Sequence, residues 1–272
     1  MKFQSIFVLF NILLVIFLAI LCLAPVFLLR GGLASVFWQS NWILILLLAM
    51  VLAGFDLFYL ANRQLYALLE KEDWPALVTY LEDRIIRKGK YSERLVRLLA
   101  NTYLVLSDSP GVISLENKAA MAKPSLVDKN ALVFGTARIL GKDISGAVRF
   151  FESRLNTVKP GLRQWVQWYY GFTLLLEKQF EKSSEEFSSL SMVSNDGVIT
   201  GLSAFFLGNT LVKSLPEKIH FLGNAAAQGR SRVTKALPRR KDWNRETARI
   251  SAEIHGAVLT KYMEEAGQWL YQ

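Results

Sequence analysis

The stretch NALVFGTARILGKDISGAVRFF, residues 130–151, is followed 36 positions later by VQWYYGFTLLLEKQFEKSSEEF, residues 166–187. Laid on one another, Gly135 meets Gly171, Ile144 meets Phe180, Ala147 meets Ser183 and Phe151 meets Phe187. Each stretch has apolar residues three and four apart, a polar break in the middle, and the same spacing again, which is the pattern of two short helices. A step of 35 residues back from Gly135 reaches Ala100, flanked by Leu99 and Tyr103 with Ala119 and Pro124 downstream. One more step reaches Leu65, with Leu68, Trp74, Leu77 and Leu81. Breaks at Asp108-Ser109-Pro110, Gly141-Lys142-Asp143, Pro160-Gly161 and Ser194-Asn195-Asp196-Gly197 fall between the periodic segments. No alternating β pattern of any length occurs, so the fold class is all-α, built of stacked helix pairs.

The small residue of a first helix, the large one at the turn and the small one of a second helix resemble the tetratricopeptide repeat family. Gly135, Ile144, Ala147 and Phe151 carry that pattern, and so do Gly171, Phe180, Ser183 and Phe187. The resemblance covers residues 58–191, continues through Gly201 to Leu211, and defines a repeat domain over 58–228. It departs from the family where the usual aromatic or leucine is replaced, and one step is a residue longer than another. The resemblance implies an α-solenoid that binds a protein partner on the concave face lined by the first helices. On this alignment that face holds Arg94, Arg97, Asn101, Thr136, Trp165, Trp168 and Asn209. The two arginines suit carboxylates, and an exposed Trp suits a hot spot. Trp165 and Trp168 are also at the spacing of core aromatics packed between repeats.

Upstream, Arg30 is the one charged residue between Lys2 and Asp56. Residues 4–29 and 42–61 each reach the roughly 18–20 apolar positions that cross a bilayer core. They define a transmembrane hairpin over 1–62, with a turn at 30–41 and Trp38 and Trp42 where interfacial aromatics belong. A signal peptide would need a shorter apolar core and small residues at a cleavage site, whereas Leu21 precedes Cys22 here. Cys22 reads as an apolar packing residue, and Asn11 as a donor across to the second helix. Lys2, Arg63 and Lys71 place both termini in the cytoplasm, at a bacterial inner membrane. Helix Tyr59 to Glu70 should continue the second span, with Asp56 and Asn62 near the interface. Two spans followed by such repeats are also similar, in layout only, to the HemY-type proteins, which implies an accessory role beside a membrane enzyme.

Downstream, Arg230, Arg232, Lys235, Arg239, Arg240, Lys241, Arg245 and Arg249 face only Asp242 and Glu246. The segment 229–243 reads as a basic linker, and residues 230–249 suit anionic lipid headgroups or nucleic acid phosphates. Residues 244–272 read as one amphipathic helix with Ile250, Ile254, Val258, Tyr262, Ala266 and Trp269 on a stripe that caps the solenoid.

Composition sorts the function classes. The chain is 272 residues long, 52% hydrophobic and carries +9 net charge, with one Cys and two His. A disulfide framework and a Cys/His zinc site are excluded by that inventory. His220 and His255 sit in no triad or metal spacing, and no phosphate-cradling glycine loop occurs, so neither cofactor nor catalysis is expected. The expectation is a membrane-anchored helical-repeat adaptor that holds a protein partner near the bilayer. An electrostatic binder of lipid or nucleic acid is its competitor.

Overall fold

The computed structural model describes residues 3–28 and 33–272. It is all-helical among the described residues and divides into two compact units, Met1–Tyr80 and Leu81–Gln272. In the first unit, α1 (Phe3–Leu28) carries no Asp, Glu, Lys or Arg over 26 residues, and α2 (Leu33–Glu70) runs unbroken for 38. The two pair through aromatic side chains. Phe7 stacks on Tyr59 with centroids 3.7 Å apart, and Phe10 meets Phe55 edge-on at 5.9 Å. Residues 33–41, expected in a turn, form the first turns of α2; Arg30 of that turn and the side chains of Cys22 and Trp38 lie outside the described residues. Asn11 donates to Phe7 O within its own helix at 3.1 Å, not across to α2. One carbonyl a turn away satisfies the amide more cheaply than a neighbouring helix whose backbone is already paired. Among the described residues no helix is long and apolar enough to cross a membrane.

The second unit is a succession of helical hairpins. After α3 (Trp74–Glu82) and a π-turn at Asp83–Arg87 come α4 (Glu93–Val105) and α5 (Ser109–Ala122), then the single turn α6 (Ser125–Lys129). Two further hairpins follow, α7 (Ala131–Leu140) with α8 (Ile144–Arg154) and α9 (Pro160–Leu176) with α10 (Phe180–Val193). Helix α11 (Gly197–Phe206) passes through a π-turn at Leu207–Leu211 and the short α12 (Val212–Ser214) to α13 (Ile219–Ala236). The chain ends with α14 (Arg240–Ser251), α15 (Ile254–Ala257) and α16 (Thr260–Leu270).

The hairpin turns repeat in backbone detail. Ser107, Lys142 and Lys178 adopt φ of 58°, 62° and 63°, and Glu72 in the first unit adopts 53°. These positions are separated by 35, 35 and 36 residues, the offsets of the sequence alignment. A left-handed residue ends a helix by letting the next amide bond back to a carbonyl of the last turn. Asp108 N reaches Tyr103 O at 2.8 Å, Asp143 N reaches Arg138 O at 2.9 Å, and Gln179 N reaches Leu174 O at 2.9 Å. Asp108 and Asp143 then cap the second helix, accepting from Gly111 N and Gly146 N at 2.9 Å each.

Within each hairpin the aligned small and large residues touch. A Cβ on Gly135 would overlap the Phe151 ring, and one on Gly171 would stand 3.2 Å from both Phe187 Cε1 and Glu186 Cβ. Arg138 joins three helices, pairing with Glu116 at 2.6 Å while its guanidinium covers Phe150 at 4.4 Å. Trp168 is fully buried and lies against Phe172, Phe187 and Phe206 at centroid distances of 5.3, 5.8 and 6.0 Å.

Two expectations fail at the C-terminal end. The linker predicted over 229–243 is mostly helix: α13 runs to Ala236 and α14 starts at Arg240. The single helix predicted over 244–272 is three. Two buried polar contacts require the break. The Tyr169 hydroxyl donates to His255 O at 2.6 Å, and Trp243 Nε1 donates to Met263 O at 3.0 Å, a pair that one continuous helix would hold about 30 Å apart. Gly256 permits the reversal, since a Cβ there would collide with Ile250 O. Helices α14 and α16 still cover α11, because Trp243 fills the space over Gly201 and Gly267.

Gly135→Ala is expected to destabilise the chain by about 2 kcal/mol through overpacking. Gly171→Ala should stay within about 0.5 kcal/mol of wild type, because a smaller clash is offset by roughly 1 kcal/mol of helix propensity. Urea denaturation of the full chain followed by circular dichroism checks the order.

Candidate partner-binding groove

The first helices α4, α7 and α9 share a side on which a groove of ≈ 490 Å³ opens between Arg97, Asn101, Lys129 and Leu162 and the C-terminal segment Ala252–His255. Its floor is tied by Arg97. Nη2 of Arg97 donates to Glu93 Oε1 at 2.8 Å and Nε donates to Asn130 Oδ1 at 3.3 Å. Asn130 in turn donates to Leu126 O at 2.8 Å, so both groups are held in place. Asn101 differs: its Oδ1 is shielded from solvent and accepts no hydrogen bond. A shielded acceptor left without a donor costs about 1–3 kcal/mol.

The far wall is made by His255. Its backbone carbonyl is held by the Tyr169 hydroxyl, and its ring stands 5.7 Å from that of Trp165. Nε2 lies 3.1 Å from Glu253 Oε2. The hydrogen bond from His255 holds the Glu253 carboxyl below the usual carboxylate range against the opposing effect of burial, with the charges of His255 and Arg97 adding to the lowering. Burial pushes the Tyr169 hydroxyl well above the usual phenol range, so it stays a donor.

Of the residues expected on the concave face, Arg97 and Asn101 line this groove. Arg94 is exposed outside its lining, Trp165 is half-buried against His255, and Asn209 is half-buried in the π-turn, donating to Phe205 O at 3.2 Å. Thr136 and Trp168 are fully buried and offer a partner nothing. Their helix faces point between hairpins because the neighbouring hairpin covers them. Lys129 and Asn130 were missed, since they stand at the extra turn α6 in the connection between two hairpins, where helical spacing carries no signal. Glu253 and His255 were missed because they lie off the apolar stripe of the single helix predicted there, and the break after Ser251 turns them to the groove.

The basic cluster expected over 230–249 is not a single surface. Arg230 donates to Leu270 O at 3.0 Å and covers Trp269, and Arg232 donates to Ser191 O and Ser194 O at 2.6 and 2.7 Å. Arg239 and Arg245 pair with Asp242 at 3.1 and 4.0 Å, and Arg249 pairs with Glu246 at 3.1 Å. Lys235, Arg240 and Lys241 are exposed and make no ion pair among the described residues. Among those residues no three His, Cys, Asp or Glu side chains come together as a metal would require.

Comparison with known proteins gives one family. The profile described as an uncharacterised Treponema protein matches residues 111–272. The chain is also similar to an uncharacterized protein of Treponema pallidum (strain Nichols), 28% identical over 284 residues that span 100% of this chain and 88% of that one.

Tyr169→Phe is expected to cost about 1–2 kcal/mol by leaving His255 O without its donor, and to speed amide exchange over residues 254–258. Because Glu253 titrates low in the folded chain, its contribution is present above the ordinary carboxylate pKa and is lost as pH falls through the lowered one. The difference in thermal midpoint between wild type and Glu253→Gln should therefore shrink from pH 6 to pH 3.

Proposed function

The chain belongs to that Treponema family, and for it we propose the role of a membrane-anchored, tetratricopeptide-like adaptor that holds a protein partner at the membrane surface. Helices α1 and α2 form the anchor, with spans near 4–29 and 42–61 and both termini in the cytoplasm. The uncharged sequence of α1 supports this reading, as do the outward Val8, Leu9, Ile12, Leu13 and Ile16 side chains, each about half exposed. Such a surface is costly in water and ordinary in lipid. Anchoring raises the partner's local concentration and restricts its orientation, which is a mechanism that needs no chemistry.

The observation that carries the adaptor reading is the groove along α4, α7 and α9 itself, walled by Asn101 and edged by Arg97 and Lys129. A polar wall of this kind suits the backbone of a bound segment, and Arg97 and Lys129, which share Glu93 at 2.8 and 3.4 Å, would take an acidic side chain of that segment as a further partner. A photo-crosslinking residue placed at Leu162, inside the groove, should yield a discrete adduct from intact membranes. The same residue at the exposed Arg149 on α8 should yield none. Asn101→Ala should cut the Leu162 adduct at least fivefold with unchanged circular dichroism. Equal adducts at both positions, or no effect of Asn101→Ala, would count against the groove. Release of the chain by alkaline carbonate would count against the anchor.

A further inference from the structure

The hairpins of Leu81–Gln272 present two edges. One consists of the turns within hairpins, the other of the connections between them. Contacts along each edge show that its members are neighbours. On the turn edge, a Cβ on Gly141 would stand 3.1 Å from Ser109 Cβ, and Ser145 bonds to Glu177. On the connection edge, Lys129 pairs with Glu93 at 3.4 Å, Asp128 pairs with Arg154 at 3.1 Å, Ser194 bonds to Gln164 at 2.9 Å, and a Cβ on Gly197 would stand 3.1 Å from Leu237 Cδ1.

Charge divides between these edges. Each connection can be taken with one helical turn on either side. The connection edge is then residues 84–96, 119–134, 151–163, 190–200 and 233–243, and it holds fourteen Lys and Arg against five Asp and Glu. The turn edge, residues 102–112, 137–147, 173–183 and 203–222, holds six against five. The connection edge thus carries an excess of +9, equal to the net charge of the whole chain. Lys90, Lys123, Lys159, Arg240 and Lys241 are exposed there and form no ion pair among the described residues. Apolar side chains stand out between these cations: Met121 is 87% exposed, Val193 71% and Met192 44%. The turn edge also exposes Val105, Leu106, Leu140, Leu176, Ile219 and Phe221, so what sets the connection edge apart is its charge excess.

We propose that the connection edge is a docking surface for an anionic lipid bilayer. A row of unpaired cations attracts acidic headgroups over a distance of about 8–10 Å at physiological salt. Methionine and valine tips between the cations then enter the interfacial region, the division of labour seen in interfacial membrane binders. Phosphate backbones of nucleic acid would satisfy the cations but give those tips nothing to bury in. The surface is assembled from five connections, so it differs from the linear segment 230–249, most of whose arginines are internally committed. The proposal rests on the reading of α1 and α2 as a membrane anchor.

The test uses the full chain with Cys22→Ala and single cysteines at Met121, Val193 or Leu140, each labelled with an environment-sensitive nitrobenzoxadiazole dye. Proteins are incorporated into vesicles of phosphatidylcholine alone or of phosphatidylcholine and phosphatidylglycerol at 7:3. The labels at 121 and 193 should shift to the blue and be quenched by spin-labelled lipid in the acidic vesicles only, and the label at 140 in neither. K90Q, K123Q, K159Q and K241Q combined should lower that quenching at least tenfold, as should 0.5 M NaCl. No shift in acidic vesicles, or an equal shift at 140, would overturn the proposal. So would protection of the 121 and 193 labels by a single-stranded oligonucleotide where lipid gives none. Flotation after alkaline carbonate reads the anchor separately, so each reading fails on its own measurement.

Discussion

One left-handed residue at the end of each first helix sets the geometry on which the repeat domain depends. At Ser107, Lys142 and Lys178 the backbone reverses sign for a single residue, and the amide after it closes onto the preceding turn. A side chain at positive φ costs about 1 kcal/mol relative to glycine, yet the turn persists at three polar residues. The second helix returns antiparallel, which brings Gly135 onto Phe151 and Gly171 onto Phe187. It also sorts the connections onto two edges, so that the charge on one is not diluted by the other. The groove along the first helices exists because those helices recur on the same side.

At the C-terminal end, polar satisfaction overrides helix propensity. Residues 244–270 contain enough apolar periodicity for one long helix, and such a helix would satisfy its own backbone. It would leave the buried Tyr169 hydroxyl and Trp243 Nε1 without acceptors. Breaking the helix twice supplies both and seats His255 beside Trp165. The same break completes the groove wall and brings Glu253 within reach of the Arg97 charge.

The helical class, the hairpin period and the helical continuity of Tyr59 to Glu70 were legible because they depend on local spacing. Residues Arg97 and Asn101 were legible for the same reason, since the first-helix register placed them on one face. Thr136 and Trp168 shared that register and are nonetheless buried, because a neighbouring hairpin lies over them. Arg232 looked like a free cation and in fact ties two carbonyls of the preceding connection. Sequence counts charges, but commitment of a charge depends on what the folded chain brings within about 4 Å of it.

The sequence by itself determined an all-helical chain with a nearly uncharged N-terminal segment, a 35–36-residue hairpin period and a +8 excess over residues 63–272. Each follows from composition and short-range periodicity, which operate over one or two helical turns. The tertiary structure alone decided which face of each first helix remains open, which arginines are spent on carbonyls, and where the last helix must break. Those outcomes turn on burial and on pairing of polar atoms across helices distant in sequence. No local pattern encodes them, because the acceptor for Tyr169 lies 86 residues away.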